Sequence, residues 1–139
     1  MKIKRHKHTR RVLKFYKSNF NLDTKFFNVL IDGTFANTAL KSKVNLSEQL
    51  PKFFEVPPNK CKLLTTKCAL HEVELLGPVT YGALVILKQY ELVECKHKRN
   101  FVSSEKCFKN LISDSIKNES TTKYFVATQV RLFKSIEYS

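Results

Sequence analysis

Hydrophobic positions along this chain fall into short blocks of two kinds. Phe26–Asp32, FFNVLID, is nearly continuous and closes on an acid, the pattern of a strand covered on both faces. Lys62–Thr65 predicts a second strand, Glu91–Glu94 (ELVE) a third and Tyr124–Thr128 (YFVAT) a fourth. Between them apolar residues recur at helical spacing. Helices are predicted over Phe35 to about Lys41, after a turn at Gly33-Thr34, and over Ser47–Phe54, opened by Ser47 and interrupted at Pro51. Two more follow over Tyr81–Tyr90 and Ser104–Lys117, the latter with Cys107, Phe108, Leu111, Ile112 and Ile116 inward. Pro57-Pro58-Asn59 and Cys95–Ser103 are loops. The stretch Thr65–Gly77, TTKCALHEVELLG, organises the rest. Ala69, Val73 and Leu76 form one apolar stripe, Cys68 and Glu72 sit four residues apart on neighbouring faces, and Gly77-Pro78 stops the helix. The alternation of strand and helix predicts an α/β fold with a right-handed, doubly wound parallel sheet.

Composition adds bounds. With 139 residues, 42% hydrophobic content and eleven Phe, the chain suits one domain with a real core. The longest apolar stretch, Leu75–Leu87, is broken by Gly77, Pro78 and Thr80 and falls short of a bilayer span; no secretory signal opens the chain. A soluble intracellular protein with reduced or metal-bound cysteines is expected, with no membrane partner. The net charge of +13 points to a polyanion, nucleic acid before an acidic membrane surface. The charge is uneven. Lys2, Lys4, Arg5, Lys7, Arg10, Arg11, Lys14 and Lys17 precede the first acid, Asp23. That arm can neutralise phosphates or act as a nuclear-import signal, its second half docked by Val12, Leu13, Phe15 and Tyr16; the plain alternative is a solvated tail.

Two constellations carry candidate chemistry. Asp32 ends the first strand, Glu72 lies on the helix after the second and Thr128 ends the fourth, all where open α/β sheets build their sites. Converging carboxylates there would suit Mg2+ or Mn2+; an Asp at a strand end is as often a helix cap. The second constellation is Cys95-x-His97, nine further residues and Cys107, with Cys68 as a fourth ligand for a closed Cys3His site. Ordinary free thiols, with Cys68 and Cys107 near apolar helix faces, remain the alternative. His71 carries no spacing argument and is taken as a surface histidine, Cys61 as a strand-edge thiol. Phosphate-cradling glycine loops and nucleophile elbows are absent from the sequence.

The segments MKIKRHKHTRRVLKFYKSNF, LIDGTF, SEQLPKFF, TTKCALHEVELLG, YGALVILKQ, the Cys95-x-His97…Cys107 loop and YFVATQ succeed one another in a familiar order. From Met1 to Gln129 the chain resembles eukaryotic rRNA-processing PIN-domain proteins, and most of all their small-subunit processome subgroup, U-three-protein twenty-three. The resemblance implies a PIN-like three-layer α/β/α fold, nucleolar residence and a role in early small-subunit pre-rRNA processing. It also implies pre-rRNA, a small nucleolar RNA and processome proteins as partners, and a structural Zn2+ on Cys68, Cys95, His97 and Cys107. Asp32 and Glu72 match the first two acids of a PIN nuclease. The third position, just before the last zinc Cys, is Lys106 here, with Glu105 one residue earlier, and where the family reads A-T-Q-Asp this chain reads Ala127-Thr128-Gln129-Val130.

The expectation is therefore a noncatalytic RNA-binding factor with a vestigial acidic pocket and no bound Mg2+ or Mn2+. Residues 1–20 would form the basic arm, 21–129 the PIN-like domain with the zinc-stapled loop, and 130–139 an atypical tail that leaves the sheet without its last strand. Phosphate contacts are expected from the arm (Lys2, Lys4, Arg5, Lys7, Arg10, Arg11, Lys14) and from Lys96, Lys98 and Arg99 in the loop. The competing expectation is an active metal-dependent PIN endoribonuclease using Asp32 and Glu72. A basic, ribosomal-protein-like structural component is a third.

Overall fold

The computed structural model describes Arg11, residues 27–118 and residues 123–128. Among the described residues, four strands, β1 (Phe27–Ile31), β2 (Cys61–Thr65), β3 (Glu91–Leu92) and β4 (Tyr124–Ala127), form one parallel sheet in the order β3-β2-β1-β4. Five α-helices connect them: α1 (Gly33–Lys41), α2 (Leu46–Phe54), α3 (Lys67–Leu75), α4 (Tyr81–Lys88) and α5 (Ser104–Lys117). Short 3-10 turns at Pro58–Lys60 and Gly77–Thr80 replace parts of the loops expected there.

Strand alternation sorts the core into two layers. Phe27, Val29 and Ile31 of β1 face one side with Phe125 and Ala127 of β4, and pack on α1, α2 and α4. Leu30, Tyr124 and Val126 face the other side and pack on Phe108, Cys107 and Leu111 of α5. Phe27 stacks on Phe54 and Phe125, which meet each other at a tilt, with centroids 4.9 to 5.6 Å apart, closing the first layer at the amino ends of the strands. Helix α3 belongs to both layers: Val73 joins the first, Cys68 and Ala69 the second. It lies so close to the start of α1 that a Cβ at Gly33 would overlap the Val73 side chain.

The differences from expectation are local. Helix α1 begins at Gly33 because the Asp32 carboxylate caps it, accepting from Phe35 N at 2.9 Å. Helix α2 begins at Leu46, capped by Asn45 rather than opened by Ser47, and runs through the buried Pro51 instead of breaking there. A proline within the second turn removes one hydrogen bond, which its burial helps to offset. Strand β3 is two residues long, not four, because β2 offers only Leu64 and Thr65 opposite it before turning into the Thr66 cap of α3. Leu76 (62% exposed) and Ile116 (72%) are not core residues; each sits where its helix has run past the layer it covers. The six other basic residues of the arm, Lys17, the expected missing strand and residues 129–139 lie outside the described residues; Arg11 is exposed. No helix among the described residues is long and apolar enough to cross a membrane.

Candidate functional site

The sheet reverses direction of growth at β1, with β2 on one side and β4, the last strand among the described residues, on the other. Ligand sites of open α/β sheets form at such a switch point, beyond the carboxyl ends of the strands. Asp32 leaves β1 there and Thr128 leaves β4, and the Thr128 hydroxyl donates to Asp32 Oδ2. Asp32 Oδ1 accepts from Thr34 Oγ1 and Phe35 N, each at 2.9 Å. Asp32 is only 2% exposed. Burial pushes its carboxyl above the ordinary range, assisted by the negative charge of Glu72; the bonds from Thr128, Phe35 and Thr34 pull the other way without winning.

Glu72 lies one turn beyond Cys68 on α3 and is half-buried. Its Oε2 accepts from Ser104 N at 2.6 Å, and Ser104 is the first residue of α5. Glu72 therefore caps a helix that begins 32 positions later in the chain. Ser103 satisfies a second amide of the same turn, accepting from Lys106 N at 3.3 Å. At the third acidic position Lys106 stands on the first turn of α5, and Glu105 is turned to Lys109, 2.9 Å away. Val130 lies outside the described residues. The pocket thus gathers Asp32, Glu72 and Thr128 as expected, with every named carboxylate already engaged by the protein.

The thiols form a second, separate centre. Cys68 near the start of α3, Cys95 and His97 after β3, and Cys107 on α5 bring one ligand atom each within 4.8 Å of the others. A tetrahedral Zn2+ with Zn–S bonds of about 2.3 Å holds its sulfurs about 3.8 Å apart; Cys68 Sγ and Cys95 Sγ are 3.7 Å apart. His97 Nδ1 is buried with no hydrogen-bond partner, while Nε2 meets the Asn110 side-chain amide at 3.1 Å. The amide nitrogen of Asn110 faces Nε2 and donates to it; turning the amide so that its oxygen accepts the Nε2 proton would free the Nδ1 lone pair for a cation among the three sulfurs. Burial pushes Cys107 up to about 12 and Cys68 upward as well. At Cys95 burial acts in the same sense but is outweighed by bonds from the His97 amide and the Cys68 and Cys107 thiols, so its pKa is lowered. Protein groups alone thus lower the pKa of Cys95 and raise those of Cys68 and Cys107; a bound cation deprotonates coordinating thiols outright. The orphaned Nδ1 and the Cys3His donor set fit a metal ion.

Sequence comparison decides the family. The family model described as Fcf1 matches residues 58–136, more than half of the chain. The chain belongs to the Fcf1 family. The match extends past Val130, where the resemblance was expected to end. Among solved structures, the PIN domain endonuclease Utp24 is similar with a TM-score of 0.63 and 26% identity over 80% of this chain and 77% of that one. The PIN-like fold expected from the sequence motifs is thereby borne out for this Fcf1-family chain.

Of the loop cations expected to meet phosphate, Lys96 is drawn to Asp114 at 3.3 Å, whereas Lys98 and Arg99 are exposed and make no ion pair among the described residues. Asn110 escaped the sequence reading, although its place three residues after Cys107 on the same helix face was a usable signal. His71, taken as a surface histidine, stacks on Phe101 with ring centroids 4.4 Å apart. Nothing in the spacing foretold that pair. Cys61 is half-buried at the strand edge, its thiol pushed up by burial.

Proposed function

We propose that this Fcf1-family chain is a noncatalytic, RNA-binding assembly factor of the small-subunit processome. It acts in the nucleolus in early pre-rRNA processing, touching pre-rRNA and a small nucleolar RNA, as a member of the U-three-protein twenty-three subgroup. The Cys68, Cys95, His97 and Cys107 cluster holds a structural Zn2+ that fixes the basic loop to α3, and no Mg2+ or Mn2+ acts at the acidic pocket. The observation that carries the reading is the engagement of Glu72: its carboxylate caps α5 through Ser104 N at 2.6 Å and so is committed to the fold. The buried Asp32, whose carboxyl is pushed above its ordinary range by burial, and the Lys106 at the third acidic position support it. The net charge of +13 and the exposed Lys98 and Arg99 supply the phosphate affinity.

The test is RNA crosslinking to the tagged chain in cells, followed by sequencing. Enrichment of small-subunit pre-rRNA and a small nucleolar RNA is expected; no enrichment with the folded protein present would overturn the reading. In vitro, charge reversal of Lys4, Arg5, Arg10 and Arg11 should weaken RNA binding, and unchanged affinity would remove the arm from the proposal.

A second reading, an active endoribonuclease, draws on the likeness to the Utp24 endonuclease and on the meeting of Asp32 and Glu72 at the switch point. Cleavage of single-stranded RNA in Mn2+ that disappears in Asp32→Asn would establish it in place of the noncatalytic one.

A further inference from the structure

Phe101 lies in the loop that joins the two halves of the thiol cluster, keeps 39% of its surface open and stacks on His71 of α3. A large aromatic ring left at the surface of a strongly basic protein is a platform that a planar base can extend. The surroundings supply the rest of a nucleotide's needs. Lys67 is four residues before His71 and shares its helix face. Lys67 and Lys98 line one groove of about 430 Å³ between the start of α3 and the segment Leu92–Lys98, whose wall includes Cys95 and His97. Glu94 is the acid of that groove, against two exposed lysines. Arg99 follows Lys98 two residues before Phe101, so basic residues precede both members of the stack in the chain, on the helix and in the loop.

We propose that the His71–Phe101 stack and the Lys67–Lys98 groove form a seat for an unpaired nucleotide of single-stranded RNA, the base lying on the stack and the adjoining phosphate in the groove. The proposal rests on the RNA-binding reading above and deepens it by naming the feature recognised, an unstacked base rather than a duplex. Stacking tolerates any base, so the seat would favour single strands without selecting sequence. The Cys68–Cys107 cluster holds the loop that carries Phe101, which places the platform under the control of that cluster's integrity.

The experiment uses the full chain, purified with Zn2+, and a short single-stranded RNA carrying one 2-aminopurine. Affinity is read by anisotropy and stacking by quenching of the 2-aminopurine. Phe101→Ala should abolish the quench and weaken binding about 5- to 160-fold, the range that removal of one base–aromatic stack produces; Phe101→Tyr should restore both. Lys67→Ala with Lys98→Ala should make the fall of log affinity with log salt shallower, by about 0.7 in slope for each phosphate no longer neutralised. A ring that only braced the loop would shift the melting temperature and metal content of Phe101→Ala and leave the quench in place, which would overturn the proposal. Should Phe101→Ala fail to fold, His71→Gln, which keeps an amphipathic side chain on an otherwise unchanged helix, must lower the quench; an undiminished quench there also overturns it. Wild-type protein that binds no RNA would sink the RNA-binding reading itself. Wild-type binding with unaltered affinity and quench in Phe101→Ala would sink only the seat.

Discussion

The acidic pocket and the thiol cluster share helix α3, and they differ in what they leave undone. In the pocket, Asp32 accepts from Thr34, Phe35 and Thr128, and Glu72 accepts from Ser104 N. In the cluster, three sulfurs crowd together and the buried His97 Nδ1 has no partner. Buried polar atoms are almost always satisfied, so an orphan beside three thiols points outward to a missing charge, whereas a satisfied carboxylate points inward to the fold. Chemical type alone would have ranked the two acids as the site of action. Bonding ranks them the other way.

The comparison breaks most visibly if the cluster is only a set of core thiols. Chelation, or Cys107→Ser, should unfold or loosen the Cys95–Ser103 loop and the start of α5 and lower the melting temperature by well over ten degrees. Structural Zn2+ sites contribute apparent binding energies of about 10 kcal/mol or more to folding. Melts with and without chelator, alongside metal analysis, check this.

The pocket side is next. Glu72→Ala should cost about 1–3 kcal/mol in urea unfolding, since it orphans the amide of the buried Ser104. Glu72→Gln keeps an acceptor and should recover much of the loss. A Glu72→Ala protein as stable as the parent would mean that the carboxylate is free for other work.

Asn110→Leu should lower metal affinity about 10-fold or more by releasing the His97 ring, with little effect on stability once metal is saturating. Competition with a chromophoric chelator measures it.

Asp32→Asn should give the smallest change, and one that depends on pH. Burial holds the Asp32 pKa above its unfolded value, so the native state keeps the proton longer than the unfolded chain. Stability is then lost as pH rises from the ordinary carboxyl range through the raised native pKa, and the loss is complete above it. Asparagine keeps the acceptor for Phe35 N and never ionises. The variant should therefore match the parent near about pH 3 and melt higher at about pH 8. A variant less stable than the parent at about pH 8 would show that the charged carboxylate contributes more through its hydrogen bonds than it loses by burial.

Much of the frame was legible in the sequence because it depends on local pattern. FFNVLID reads as a doubly covered strand from its continuous apolarity, and the placement of Asp32 at its end followed from the α/β rule. The Cys95-x-His97 pair with Cys107 and Cys68 was legible as a possibility from spacing and became geometry in the structure. What stayed hidden depends on distant partners. The tie from Glu72 to Ser104 spans 32 positions and carries no periodic trace, and the His71–Phe101 stack is of the same kind. Periodicity placed Leu76 and Ile116 on inner stripes correctly by angle, but it cannot tell how far along a helix the opposing layer extends.

The four ligands of the cluster enclose the chain from Cys68 to Cys107, which includes all of α4 and β3. A cation joining them is a cross-link, and cross-links act on the unfolded chain as much as on the folded one. Closing a loop of about 40 residues removes roughly 4 kcal/mol of conformational entropy from the denatured ensemble. If metal is captured before the sheet forms, that entropy is given up early, and β3, a strand too short to seek out its neighbour unaided, is delivered to β2 by the tether.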